Sequence, residues 1–151
     1  MPSEQALVDT NVLVDGLYKD SEHYSAARAL LDQAQQLDAG FCITPQVLTE
    51  FYAVVTHPKR TTQPKSPHDA LSVMGDFLAM PGMLLLLPPP DITARLMDLV
   101  RRYPQHLIGR KIFDGQLVAT MLANGVKRIY TFNSKDFIPF SEIEVLEPKV
   151  S

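Results

Sequence analysis

Short apolar runs alternate with longer amphipathic ones along this chain. The runs at residues 6–8, 41–43, 84–87, 128–132 and 143–146 have the length of strands and are bounded by turn residues. Between them the apolar period changes to that of a helix. Within residues 22–37, Ala26, Ala27, Leu30, Leu31, Ala34 and Leu37 fall on one face. Thr44-Pro45 predicts a second start, with Thr44 as N-cap and Pro45 in the first turn, followed by Val47, Leu48, Phe51, Val54 and Val55. Ser66-Pro67-His68-Asp69 repeats that signal in the manner of a capping box. Asp91 is the expected cap of a helix over 92–102, and a last helix over 112–124 is expected to stop at Gly125. The alternation predicts an α/β fold, with a mostly parallel sheet of roughly five strands flanked by helices.

The polar positions that break this pattern are acidic. Asp9 follows the apolar Ala6-Leu7-Val8, and Asp136 follows the fourth predicted strand. Glu50 lies three residues after Val47 and four before Val54, on the apolar side of its helix. Asp114 has the same relation to Leu117 and Val118. Each has a bland reading: Asp9 or Asp136 can cap a turn, and Asp114 can meet a helix dipole. Together, four carboxylates near one sheet edge repel one another unless a cation sits among them. Parallel sheets form their sites beyond the carboxyl ends of strands, where Asp9 and Asp136 are expected.

Composition narrows the chemistry. A chain of 151 residues with 46% hydrophobic and 21% charged content fits one domain over 1–151. Met1-Pro2-Ser3-Glu4 lacks the basic start and apolar core of a secretory leader, and no apolar run is long enough to span a bilayer. Cys42 has no partner for an internal disulfide; a cytoplasmic protein is expected. The net charge of −3 is unevenly spread: residues 1–57 carry −6, and residues 101–135 carry +6 around Asp114 alone. Such a segment suits an anionic substrate approaching a metal, or simply solvated helix ends.

All-oxygen ligation selects a hard cation, Mg²⁺ or Mn²⁺. Zinc is disfavoured because Cys42, His23, His57, His68 and His106 show no ligand spacing. The chain has no Gly-rich phosphate loop and no nucleophile elbow. Hydrolysis of a phosphodiester assisted by a carboxylate-held metal is the reaction this donor set suits.

At this point the motifs resemble a known family. Leu7-Val8-Asp9-Thr10-Asn11-Val12-Leu13 is similar to the opening motif of PIN-domain nucleases. Thr49-Glu50, Ile112-Phe113-Asp114 and Tyr130-Thr131-Phe132-Asn133-Ser134-Lys135-Asp136-Phe137 follow in the family's order. Length and ending most resemble VapC toxins of toxin–antitoxin pairs. The resemblance implies a three-layer PIN-like domain and a Mg²⁺- or Mn²⁺-dependent endoribonuclease. It maps the catalytic acids onto Asp9, Glu50, Asp114 and Asp136. Asp9, Asp114 and Asp136 are the expected metal ligands, and Glu50 would orient a water. Asn133 stands where some relatives carry a further acid, which leaves a second metal open. The resemblance also implies a homodimer, a VapB-like antitoxin and an RNA substrate, with no membrane association.

Substrate contacts are expected from Arg110, Lys111 and Lys135, with Thr10 and Asn11 beside the metal. The loop His57-Pro58-Lys59-Arg60 is a weaker candidate, and His106 has no evident partner. Leu30-Leu31 and Phe77-Leu78 are candidates for dimer area. Two rival classes are weighed: a catalytically silent PIN-like RNA-binding or scaffold protein, and a receiver-like phosphotransfer domain. The latter wants clustered early acids and a late strand-end lysine, which the chain lacks.

Overall fold

The computed structural model of the protein describes residues 4–150. Five strands form one parallel sheet: β1 (Ala6–Val8), β2 (Phe41–Ile43), β3 (Met83–Leu85), β4 (Arg128–Tyr130) and β5 (Glu144–Leu146), in the order β3-β2-β1-β4-β5. The first strand is therefore central. The chain builds outward through β2 and β3 on one side, then returns to β1's other edge with β4 and β5. That reversal makes a switch point beside the carboxyl ends of β1 and β4, where adjoining connections part and leave a crevice.

Six α-helices surround the sheet: α1 (Thr10–Asp15), α2 (Tyr24–Gln33), α3 (Pro45–Val55), α4 (Pro67–Ala79), α5 (Ile92–Arg102) and α6 (Ile112–Ala123). Single 3-10 turns lie at Gly109–Lys111 and Ser134–Asp136. Leu7, Val8, Ile43 and Ile129 of the sheet are fully buried against Val12, Leu13, Leu31, Phe51, Val118 and Met121. Burying side chains of this size stabilises by about 1.5–3 kcal/mol each before entropy is counted.

Local rules explain most boundaries. Thr44 Oγ1 accepts from the Val47 amide and Ser66 Oγ from the Asp69 amide, with proline in the first turn of each helix. Gly125 follows α6 at φ 72°, a conformation that costs glycine little. Gly82 is required for another reason. A Cβ there would collide with the backbone oxygens of Gln36 and Ala34, so the chain can enter β3 only without a side chain.

The structure corrects several expectations. Asp91 stands at the N-cap of α5 as expected but makes no side-chain capping bond; its carboxylate receives Arg95 Nε at 3.0 and 3.1 Å, one helical turn on. The third strand is Met83–Leu85, and the fourth ends at Tyr130, so that Thr131 turns out of the ladder. Thr10-Asn11 opens the short helix α1, a helix that the apolar pattern did not predict. Leu30, Leu31 and Phe77 belong to the core and offer no dimer area; of that group only Leu78 is exposed. Cys42 is buried in β2, where desolvation pushes its thiol up to about 11. Among the described residues, no helix is long and apolar enough to cross a membrane.

Candidate active site

The crevice at the switch point is a cleft of about 530 Å³, and Asp9, Glu50, Asp114 and Asp136 all line it. Four residues separated by up to 127 positions in the sequence thus share one space. Asp9 directly follows β1, Asp136 lies in the 3-10 turn after β4, and Glu50 and Asp114 stand on helices.

On the strand-end wall, Asp9 is the N-cap of α1 and is 8% exposed. Its Oδ1 accepts from the Thr10 amide at 2.8 Å. Its Oδ2 accepts from Thr131 Oγ1 at 2.8 Å and Asn11 Nδ2 at 3.2 Å. A carboxylate has about four acceptor positions, so these three bonds leave one free. Asn11 also donates to Thr131 Oγ1 at 3.1 Å and accepts from the Phe132 amide at 3.0 Å, tying the end of β1 to the segment after β4. Asp136 sits in the 3-10 turn beyond that segment, about one-third exposed, with Lys111 Nζ at 3.6 Å. His106 Nε2 lies 2.8 Å from the Asp136 carbonyl, which gives this histidine the partner its sequence context did not reveal.

The helix wall is built differently. Glu50 faces the cleft from α3, with Gln46 Nε2 donating to Oε1 at 3.1 Å and Thr10 Oγ1 to Oε2 at 3.4 Å. The Thr10 hydroxyl also lies 3.1 Å from the Val47 carbonyl. Asp114 stands in the first turn of α6, a helix whose Leu117, Val118, Ala119, Thr120 and Met121 are all buried. Its carboxylate has no hydrogen-bond partner among the described residues.

The electrostatics follow from this packing. Burial, together with the charges of Glu50 and Asp136, raises Asp9 to about 6, against its hydrogen bonds to Thr131 and Thr10. Burial also raises Asp114, to about 7, with added repulsion from Asp136, Asp9 and Glu50; only Lys111 works the other way. All four carboxylates therefore interact. Among the described residues, no three His, Cys, Asp or Glu groups close round one point as a ready-made cage. The donor set still fits a hard divalent cation. It is all oxygen, Lys111 is the one cation paired within it among the described residues, and Mg²⁺ binds through one or two carboxylates while keeping several waters.

The cationic residues divide sharply. Arg110 lines the cleft with its guanidinium 5.8 Å from the Phe113 ring, and Arg60 lines it from the loop after α3. Neither has an ion-pair partner among the described residues. Lys111 pairs with Asp136, and Lys135 is outside the cleft lining. Arg101, Arg102 and Arg128 pair with Asp98, Glu142 and Glu144, so the +6 segment is not one basic surface. Sequence reasoning assigned no role to Thr131 or Gln46. The only signal for Thr131 was a hydroxyl at the end of an apolar strand; for Gln46, a position one turn before Glu50. Asp15, a fifth acid on the cleft, is raised chiefly by burial.

The PIN-domain family model matches residues 6–144, a span that includes all four acids. The chain belongs to the PIN-domain family. Relatives within it include ribonuclease VapC24 of Mycobacterium tuberculosis, 28% identical over 145 residues that cover 95% of this chain and 97% of the relative. The VapC ribonuclease Mb2897 of Mycobacterium bovis is 35% identical over 117 residues, 78% of each chain. Among solved structures, this PIN domain is similar to Mycobacterium tuberculosis VapC20, described as a sarcin-ricin loop cleaving toxin. The TM-score is 0.66 at 14% identity, over 93% of this chain and 99% of that one. VapBC2 from Rickettsia felis, bound to a promoter DNA fragment, gives 0.65 at 18% identity, over 95% and 98%. At these identities the solved structures speak to the fold alone.

Proposed function

We propose that this PIN-domain protein is a divalent-metal-dependent endoribonuclease, the toxin of a toxin–antitoxin pair, working as one domain along its length. One observation carries the reading: Asp9, Glu50, Asp114 and Asp136 line a single cleft at the switch point, and burial with mutual repulsion raises the pKa of two of them, Asp9 and Asp114. Asp9, Asp114 and Asp136 would hold Mg²⁺ or Mn²⁺, both suited to an all-oxygen set. When bound, the cation supplies Lewis-acid chemistry, neutralising charge on the phosphate and lowering the pKa of a water.

The chain's own residues supply the rest. Glu50, fixed by Gln46 and Thr10, orients the attacking water and accepts its proton. Arg110 and Arg60 hold phosphates on either side of the scissile one, being charged, unpaired and exposed on the cleft. Lys111 and Lys135 add positive charge outside it. Thr10 and Asn11 serve the acids more than the RNA, because their polar atoms are engaged within the protein. Relatives named VapC ribonucleases support the reaction. The antitoxin partner is motivated by likeness in fold to chains solved in such assemblies, among them a toxin–antitoxin complex from Klebsiella pneumoniae. A cytoplasmic homodimer completes the proposal.

The rival, a catalytically silent RNA-binding PIN domain, draws on the lack of a closed cage among the described residues. Cleavage separates the two. Purified protein is expected to cut single-stranded RNA with Mg²⁺ or Mn²⁺ and to stop when EDTA is added. Asp9→Asn and Asp114→Asn should each abolish cutting with an unchanged circular dichroism spectrum. Undiminished cutting by both variants would overturn the assignment.

A further inference from the structure

Six of the seven phenylalanines are buried or partly buried; Phe113 alone is in the exposed class, at 46%. It stands beside the acidic cleft. One side of its ring has the Arg110 guanidinium nearby. The residue also borders a second hollow of about 390 Å³, whose other walls include Pro45, Gln46, Pro88 and Gln116. Glu50 and Phe113 line both spaces, so they form the partition between them.

This hollow is built, and its polar groups are sparse. Gln46 Nε2 donates to the Phe113 carbonyl at 2.8 Å and to Glu50 Oε1 at 3.1 Å. Both amide hydrogens are then used, which leaves the Gln46 Oε1 as an acceptor. Gln116 has no hydrogen-bond partner among the described residues, so its carboxamide offers both donors and an acceptor. Thr49 Oγ1 is spent on the Pro45 carbonyl at 2.9 Å. A mostly apolar hollow with an exposed ring on one wall and two carboxamides has the make-up of a site for a flat heterocycle. An unpaired RNA base is such a group, and proteins read splayed bases by stacking and edge hydrogen bonds.

We propose that the hollow behind Phe113 is a nucleobase pocket. It takes the base of a nucleotide next to the scissile phosphate, stacks it on Phe113, and reads its edge with Gln46 and Gln116. The proposal rests on the ribonuclease reading. Phe113 is then a binding residue whose contribution requires a base, unlike the acids, whose contribution requires a phosphate.

The test measures kcat/KM for short single-stranded RNA, with and without an abasic nucleotide beside the mapped cut. Phe113→Leu should lose about 5- to 100-fold on base-bearing RNA, the range for one lost stacking contact, mainly through KM. Phe113→Tyr should remain near wild type. On abasic RNA, wild type and Phe113→Leu should perform alike. Gln116→Leu should change which base flanks the cut. In the Asp114→Asn background, 2-aminopurine in that position should be quenched on binding with Phe113 and not with leucine. Equal losses by Phe113→Leu on base-bearing and abasic RNA would overturn the pocket, as would no loss on either. If Phe113→Leu is poorly folded, loss of binding or cutting by Phe113→Tyr overturns it instead. A wild type that neither binds nor cuts RNA removes the ribonuclease reading and the pocket together; one that cuts while Phe113→Leu matches it removes the pocket alone.

Discussion

The strand-end wall of the cleft fixes Asp9 with three hydrogen bonds, whereas the helix wall leaves Asp114 with none among the described residues. Both carboxyls are raised, but Asp114 further, to about 7 against about 6. Asp9 is buried more deeply, yet its bonds from Thr131 and Thr10 recover part of the desolvation cost. Asp114 has no such bonds, and only the charge of Lys111 works against burial and the repulsion of three other acids. The site thus combines one acid positioned by a polar network with one positioned by packing and left electrostatically unsatisfied. A cation would relieve the second more than the first.

The largest effect that tests this contrast is on activity. Asp114→Asn should cost at least about a hundredfold in cleavage, the upper range for losing even an outer partner of a metal site. It should also stabilise the metal-free protein, because it removes a repelled charge. A variant that is inactive and less stable would break the contrast. Thr131→Val comes next. It deletes the donor to Asp9 and the acceptor used by Asn11 and the Asn133 amide, and should lower stability by about 1–3 kcal/mol in chemical denaturation. An unchanged denaturation midpoint would show that the network does not hold Asp9.

pH sharpens the same comparison. Both folded pKa values lie above the ordinary carboxyl value of 3.8. The native protein therefore keeps protons that the unfolded chain has lost, and stability falls as pH rises between about 4 and 7. Without metal, the difference in melting temperature between wild type and Asp114→Asn should widen in favour of the variant from pH 5 to pH 8. A difference that does not change with pH would contradict the repulsion. The smallest effect belongs to the rim. Arg60→Gln should leave stability unchanged and reduce the salt slope of RNA binding by about 0.7, the value for one phosphate contact on a single strand.

How much of this could be read from the sequence follows the range of each interaction. Thr44 and Ser66 cap their helices through contacts three residues away, and both were legible. The five strands were legible as apolar runs, although Thr131 was absorbed into one of them because a threonine fits a strand. Asp9, Glu50, Asp114 and Asp136 could be picked out because a carboxylate at an apolar position has a cost that a sequence displays. Their supporting shell could not. Thr131 meets Asp9 across 122 positions, and Gln46 meets the Phe113 carbonyl across 67. From the sequence Lys135 was the expected substrate contact and the loop carrying Arg60 the weaker candidate; only the fold puts Arg60 on the cleft and leaves Lys135 outside its lining. The sequence located Asp91 at the start of α5, but not that its carboxylate would bond Arg95 and make no side-chain capping bond.

We expect the four acids to form one cation site in which Asp114 is the least satisfied member. Calorimetric titration of Mn²⁺ into metal-free protein at pH 7, repeated in buffers of different ionisation enthalpy, tests it most directly. A saturable site is expected, with proton release on binding because Asp114 is raised to about 7, and with loss of both in Asp114→Asn. An isotherm identical in wild type and Asp114→Asn, with no buffer dependence, would contradict it.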